Sequence, residues 1–257
     1  MTEPQRPLDG QIALVTGATS GIGKASARAL ARAGARVIAS GRRAERLADL
    51  VAELGPGNFP LPLDVRDQGA VRRAVAELPE ELSAVDLLLN CAGLALGLEP
   101  AQRASLEQWE NMIATNCSGL VTLTHALLPG MVARDRGHVV NIGSVAATHA
   151  YPGGNVYGAS KAFVRQFSLN LKSDLLGTRV RVSLIEPAMV ETEFSLVRFE
   201  GDLPRAAKVY EGMQPLTAED VADAILYCVS RPPHVDVTVL ELFPVAQAPG
   251  PFAVHRR

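Results

Sequence analysis

A chain of 257 residues, 47% apolar and 20% charged, can bury a substantial core and is of ordinary size for one α/β domain. Its formal net charge of -2 and pI near 6.2, with no basic block, speak against a nucleic-acid partner. Met1 to Gly10 is polar and has no charged segment leading into an apolar stretch, so no secretory signal is expected. No apolar run approaches the roughly 18 residues of a membrane span. Cys91, Cys117 and Cys228 are odd in number and widely spaced, which fits reduced thiols rather than disulfides or a metal site. The expectation is a soluble cytoplasmic protein with no bound metal.

Ile12 to Thr16 is a short apolar run closed by Gly17, and the alanine-rich stretch Ile22 to Ala33 follows as a helix. The same strand-then-helix unit recurs as Arg36 to Ser40 with Glu45 to Glu53, Leu61 to Val65 with Gly69 to Leu78, and Val85 to Asn90 with Leu106 to Leu128. Further strands are expected at His138 to Gly143, Val180 to Glu186 and Val237 to Phe243, and helices at about Gly158 to Leu176 and Ala218 to Ser230. Right-handed crossovers between parallel strands then give a single-domain α/β Rossmann fold over residues 1–257. This is a doubly wound seven-stranded parallel sheet with helices on both faces. Residues 193–213 break the alternation and are expected to form an inserted loop or small helical lid near the site. Residues 244–257 are expected to form a C-terminal tail.

Between the first strand and the first helix lies Thr16-Gly-Ala-Thr-Ser-Gly-Ile-Gly23. Gly17, Gly21 and Gly23 would let the backbone of Thr19, Ser20 and Ile22 approach a pyrophosphate at the helix N-terminus. Taken in isolation, three glycines are as readily a turn with no ligand. The spacing Gly-x-x-x-Gly-x-Gly also departs from the common dinucleotide fingerprint. About 20 residues on, an NAD enzyme would place a carboxylate for the ribose hydroxyl. Here the segment reads Ala39-Ser-Gly-Arg-Arg43. Arg42 and Arg43 can form a charge-assisted fork around a 2′-phosphate, favouring NADP over NAD. The bland alternative is two solvated arginines opening a helix. Asp64 and Val65, at the end of the third strand, are placed to meet the adenine, with a helix N-cap as the other role for Asp64.

Tyr157 and Lys161 are four apart and emerge on one helical face. An ammonium about 4 Å from the phenol, at an effective dielectric of about 20, contributes roughly 4 kcal/mol, or about three pKa units. That would bring Tyr157 toward the range useful for acid–base catalysis. Alone, the pair is more often a structural tyrosine beside a snorkelling lysine. Ser144 follows the fifth strand, where a hydroxyl could hold the reacting carbonyl oxygen or simply cap a turn. Asn116 is a polar residue in an apolar helical segment, whose ordinary role is a satisfied buried amide.

In this order the motifs resemble the short-chain dehydrogenase/reductase family over nearly the whole chain. The family's Thr-Gly-x-x-x-Gly-x-Gly turn matches Thr16 to Gly23, which accounts for the unusual glycine spacing. Its Asn-Asn-Ala-Gly segment matches Asn90-Cys91-Ala92-Gly93, and its Pro-Gly stretch matches Pro187-Ala-Met-Val-Glu-Thr192. Cys91 and Ala188 are departures that bear on local backbone geometry. The family's catalytic asparagine, serine, tyrosine and lysine match Asn116, Ser144, Tyr157 and Lys161. The resemblance implies cofactor contacts from Asn90, Ala92, Gly93, Tyr157, Lys161, Pro187, Val190 and Thr192. It also implies proton donation by Tyr157, a substrate oxygen held by Ser144, ribose binding by Lys161, and a water path supported by Asn116.

A closer likeness is to the NADP-dependent 3-hydroxy acid dehydrogenases, carried by the stretches Leu94 to Pro100, Gly153 to Leu171, Thr192 to Phe199 and Val254-His255-Arg256. It implies oxidation of serine and allo-threonine and reduction of malonic semialdehyde. A small carboxylate substrate needs a cation, and Arg198 in the expected lid is the candidate. The family also implies tetramers, with the helices bearing Asn116 and Tyr157 packed between subunits; the apolar strand Val237 to Val245 and the tail beyond it suit a second interface, so a homotetramer is expected. A general carbonyl or 3-oxoacyl thioester reductase would show the same site chemistry. A non-catalytic NADP-binding regulator would be expected to lose Ser144, Tyr157 or Lys161, and all three are present.

Overall fold

A computed structural model describes residues 6–250; the Val254-His255-Arg256 likeness and the end of the expected tail lie outside them. Seven parallel strands form one sheet in the order β3-β2-β1-β4-β5-β6-β7. They are β1 Ile12–Val15, β2 Arg36–Gly41, β3 Phe59–Pro62, β4 Leu87–Asn90, β5 Gly137–Ile142, β6 Val180–Pro187 and β7 Val239–Leu242. Because side chains alternate across a strand, Ala13, Val15, Val37, Ala39, Leu87 and Leu89 enter one core. That core is covered by α1 Gly21–Arg32, α2 Ala44–Leu54 and, through Val221 and Ile225, by a late helix introduced below. Ile12, Leu14, Ile38, Leu88 and Val139 enter the other core. Burial on both faces is why these strands read as continuous apolar runs rather than alternating ones.

The third strand lies earlier than the expected Leu61 to Val65. Phe59 to Pro62 pair with Ile38 to Gly41, and Pro60 and Pro62 are tolerated because β3 is an edge strand with no partner on its outer side. The helices that follow are α3 Gln68–Ala76, a short unforeseen α4 Glu80–Ser83, α5 Leu106–Ile113 and α6 Leu120–Ala133. α5 and α6 were expected as one helix ending at Leu128. Instead they are joined by a π-helical turn, Ala114–Gly119, and α6 runs on through Pro129. Gly119 permits the close approach there, since a Cβ would lie 2.8 Å from the Val65 carbonyl oxygen.

α7 Asn155–Asp174 starts early enough to hold Tyr157 in its first turn. Residues 193–213, expected as a loop or small helical segment, contain α8 Glu193–Arg198 and α9 Leu203–Lys208, followed by α10 Ala218–Val229, the late helix on the first core. Strand order reverses between β1 and β4, and the crevice beyond their carboxyl ends is where such sheets bind ligands.

Candidate active site

The crevice is a cavity of about 310 Å³. Its floor near β1 is the glycine turn, from Gly17 to Gly23. Gly17 and Gly21 adopt φ of 68° and 48°, a region open to glycine and costly for other residues. A Cβ on Gly23 would lie 2.4 Å from the Gly17 carbonyl oxygen, so only glycine lets the helix start this close to the turn. Thr16 Oγ1 accepts from the backbone N–H groups of Cys91 and Ala92, both at 2.9 Å, and so pins the segment after β4 against the turn. Ala92 and Gly93 line the cavity. Asn90 does not: its Nδ2 donates to Thr124 Oγ1 at 3.0 Å and Asn141 Oδ1 at 2.9 Å, locking the end of β4 from beneath.

At the end of β2, Arg42 and Arg43 both line the cavity, yet they face different neighbours. Arg43 donates from Nε and Nη2 to Thr19 Oγ1 at 3.1 and 2.9 Å and pairs through Nη1 with Glu193 Oε2 at 2.9 Å. Arg42 is exposed, and its charge acts on Asp64. The expected single fork is therefore two separate cations. Asp64 and Val65 line the cavity beside Arg66. Arg66 binds Asp64 through Nη2 at 2.5 Å and donates from Nη1 to Asn111 Oδ1 at 2.6 Å, which holds the Asp64 carboxyl below its ordinary range. Asp64 is no helix cap; Asp67 caps α3, accepting from Ala70 N–H at 2.8 Å.

Ser144, Tyr157 and Lys161 line the far end of the same cavity. Ser144 caps the 3₁₀ turn Val145–Ala147, its Oγ accepting from Ala146 N–H at 3.1 Å, and its hydroxyl acts to lower the Tyr157 phenol pKa. Lys161 Nζ donates to the Ile142 carbonyl at 2.9 Å and lies 5.9 Å from the Tyr157 ring centroid. The expected tuning of Tyr157 by Lys161 does not appear. Burial raises the phenol pKa, opposed first by the charge of Arg198 and then by Ser144. The ammonium donates to a neutral backbone carbonyl, which leaves its charge in place, and burial lowers its own pKa to about 8.

Asn116 sits in the π turn, a device frequent at functional sites, but does not line the cavity. Its Oδ1 accepts from Leu94 N–H, and its Nδ2 donates to the Leu94 carbonyl at 2.9 Å and to Ser160 Oγ at 3.0 Å. The amide braces the loop after β4.

Pro187, Val190 and Thr192 form the wall after β6, joined by Glu193, Phe194 and Val197 from α8. Arg198 stands behind that wall, its Cζ 5.1 Å from the Tyr157 ring centroid and its Nη2 2.8 Å from Tyr151 Oη. Sequence reasoning missed Arg66, Thr115, Glu193 and Phe194 as cavity residues. Arg66 was legible as the second residue beyond Asp64 at a strand end, while Glu193 and Phe194 carry no local motif.

Among the described residues no group of His, Cys, Asp or Glu is arranged to hold a metal, and no helix is long and apolar enough to cross a membrane. The short chain dehydrogenase family matches residues 11–201. NADP-dependent 3-hydroxy acid dehydrogenase YdfG of Shigella flexneri is 53% identical over 247 residues, covering 96% of this chain and 100% of its own. Serine 3-dehydrogenase of Agrobacterium fabrum is 49% identical over 243 residues, 95% of this chain and 97% of its own. A solved closed form of serine dehydrogenase complexed with NADP+ superposes with a TM-score of 0.92 at 53% identity, over 96% of this chain and 100% of the other. A match to 191 consecutive positions (11–201), which contain the glycine turn, Ser144, Tyr157 and Lys161, settles the relationship: the chain belongs to the short chain dehydrogenase family of oxidoreductases.

Proposed function

We propose that this enzyme is an NADP-dependent dehydrogenase interconverting a small 3-hydroxy acid, such as serine, allo-threonine or 3-hydroxypropionate, and its 3-oxo form. The observation that carries the reading is one continuous cavity with two chemically different ends. A glycine turn and two arginines stand at one, and Ser144, Tyr157 and Lys161 at the other. The relatives named above supply the substrate class.

NADP fits the residues present. The approach of Gly23 to Gly17 leaves space that any Cβ would fill. The wall residues Ser40 and Thr115 carry buried hydroxyls with no partner among the described residues, available to a ligand. No carboxylate follows β2, whereas Arg42 and Arg43 can meet a 2′-phosphate. The first turn of α1, Thr19 and Ser20 would hold the pyrophosphate, and Lys161 the ribose nearest the reacting carbon.

When bound, NADP exchanges a hydride with the substrate carbon. Tyr157 takes the hydroxyl proton in oxidation and returns it in reduction, and Ser144 orients the substrate oxygen against the phenol. Asn116 keeps Leu94 and the loop after β4 in place. Arg198 draws the substrate carboxylate toward the Tyr157 end, and residues 193–213 form the lid that excludes water.

Turnover of L-serine, L-allo-threonine and 3-hydroxypropionate with NADP, set against a neutral diketone, tests the reading. Preference for the diketone would replace it with a general carbonyl reductase. NADP binding without turnover of any substrate would make the protein a regulator. Activity that survives Tyr157→Phe would overturn the mechanism.

The assembly read here is a homotetramer. Leu106 and Ile113 on α5 and Phe163 on α7 are 66%, 47% and 44% exposed, an apolar face of the kind that subunits cover. A monomer mass in sizing would refute this. Three free cysteines, with burial pushing the Cys91 thiol up to about 12, support a reducing, cytoplasmic setting.

A further inference from the structure

Arg198 ends α8 with its Cζ 5.1 Å from the Tyr157 ring centroid. Its Nη2 donates to Tyr151 Oη at 2.8 Å, and its Nε is buried without a partner among the described residues. A cation with an unfilled donor suits a substrate carboxylate, provided that no carboxylate of the chain reaches it first. Several stand in the segments that meet here. Glu193 at the start of α8 is held by Arg43 and Arg46, both at 2.9 Å. Glu99 in the loop after β4 pairs with Arg103 at 3.4 Å, and Asp202 caps α9, accepting from Arg205 N–H at 3.0 Å. Glu200, two residues beyond Arg198, differs from these: its Oε1 accepts from the neutral amide of Gln108, Nε2 lying 2.7 Å away. Its charge is restrained without being neutralised.

Glu200 also occupies a position where a side chain is costly. Gly201 N–H donates to the Leu196 carbonyl at 2.9 Å and Glu200 N–H to the Val197 carbonyl at 3.2 Å, the pattern that ends a helix through one left-handed residue, commonly glycine. Here that residue is Glu200, with φ of 53°. Gln108, from the first turn of α5, meets it there and packs against Gly97 as well, where a Cβ would lie 2.9 Å from Gln108 Oε1. Gly97 N–H in turn donates to the Arg198 carbonyl at 3.1 Å. Residues two apart have Cα atoms no more than about 7 Å from each other, so a released Glu200 carboxylate comes within reach of the guanidinium and competes for it.

We propose that Gln108 is a positioning residue that holds the Glu200 carboxylate away from Arg198 and so keeps the guanidinium free for the carboxylate of the substrate. The proposal rests on the reading of Arg198 as the partner of that carboxylate. Gln108 touches neither substrate nor cofactor; it sets the affinity for an acidic substrate by restraining a rival anion of the chain.

The test uses the full-length enzyme with NADP and 3-hydroxypropionate, and the variants Gln108→Leu, Glu200→Gln and the two combined. Gln108→Leu removes the side-chain bond and leaves the Gln108 backbone N–H on Ser105 Oγ at the start of α5. It is expected to raise KM roughly threefold to tenfold, the size of a partly exposed ion pair, with kcat little changed and KM for a neutral diketone unaltered. Glu200→Gln alone should leave KM no higher than in the wild type. The combined variant is expected to restore the wild-type KM, because no rival charge remains. Binding of malonate to the NADP-loaded proteins gives a readout apart from turnover. It is followed through Trp109, the chain's one tryptophan, which packs in the cluster of Tyr151, Tyr157 and Phe194, and its Kd should follow the same order. Should Gln108→Leu fold poorly, Gln108→Glu decides: it repels Glu200 rather than releasing it, and Glu200→Gln again provides the rescue. An unchanged KM in the Gln108 variants, a rise that Glu200→Gln does not reverse, or an equal rise for the diketone would overturn the proposal. A KM for 3-hydroxypropionate that Arg198→Met leaves unchanged would instead overturn the reading of Arg198 beneath it.

Discussion

Arg43 and Glu193 tie together the two walls of the cofactor cleft, Nη1 to Oε2 at 2.9 Å. The second oxygen of Glu193 takes Arg46 Nη1, also at 2.9 Å, while the other edge of Arg43 holds Thr19. The end of β2, the glycine turn and the first residue of α8 are thereby fastened over one cavity, and Thr192 rests against Gly21, where a Cβ would lie 3.2 Å away. A ligand beneath this strap leaves once the pairs open. The pairs are about 40–50% exposed, and such bridges contribute about 0.2–1 kcal/mol each. Glu193→Gln is thus expected to speed NADPH release by roughly threefold to tenfold in stopped-flow fluorescence. Glu45→Gln, which removes the same charge from exposed α2, should leave the rate unchanged.

The different surroundings of Arg42 and Arg43 predict different selectivity phenotypes. Arg42 has no hydrogen bond or ion pair to lose among the described residues, so Arg42→Ala should weaken NADP while leaving NAD alone. A charge-assisted hydrogen bond of about 1.5–3 kcal/mol corresponds to roughly tenfold to a hundredfold in Kd. Arg43→Ala should weaken both cofactors, because it also frees Thr19 and Glu193. Calorimetric titration of each variant with NADP and NAD separates the two. Equal losses for both cofactors in Arg42→Ala would remove that residue from phosphate recognition.

Gly23→Ala places a methyl 2.4 Å from a backbone oxygen, a contact that no rotamer change relieves. Overpacking of this kind costs about 1–3 kcal/mol, which for a chain of this length lowers Tm by roughly 2–12 °C. NADP binding should fall at least about tenfold, because the shifted turn loses its amide geometry. Differential scanning fluorimetry with and without NADP checks both effects, and a wild-type ligand-induced shift would show that the turn absorbs the methyl.

What the chain disclosed by itself was whatever repeats locally. The β-α alternation, the glycine turn and the arginine pair after β2 are all runs of a few residues whose period or composition carries the signal. The features that escaped it depend on partners distant along the chain. Asn116 was visible as a polar residue in an apolar helix, but its role in bracing Leu94 required the π turn to aim it. The electrostatics of Tyr157 were misjudged because helical spacing places Lys161 nearby without saying that Ile142 takes its ammonium, or that Arg198 arrives from α8. Of the two roles read for Asp64, the helix cap falls to Asp67, while Asp64 itself lines the cavity, held by Arg66.

His138 predicts how stability depends on pH. It lies at the start of β5, 3% exposed; Nε2 meets Ser183 Oγ at 2.9 Å, and Nδ1 has no partner among the described residues. Burial, then the charges of Arg181 and Lys172, holds its pKa well below 6.5. Above pH 6.5 the ring is neutral in both the folded and the unfolded chain and the linkage vanishes. Below it the unfolded chain binds a proton that the buried ring refuses, so stability falls as pH falls, with a slope of at most about 1.4 kcal/mol per pH unit from this one group. His138→Gln removes the titration and can keep a bond to Ser183. Between pH 7 and about pH 5.5, urea unfolding should therefore show the wild type losing roughly 1 kcal/mol more than the variant. Parallel losses in both proteins would mean that His138 takes up its proton in the folded state as readily as in the unfolded one.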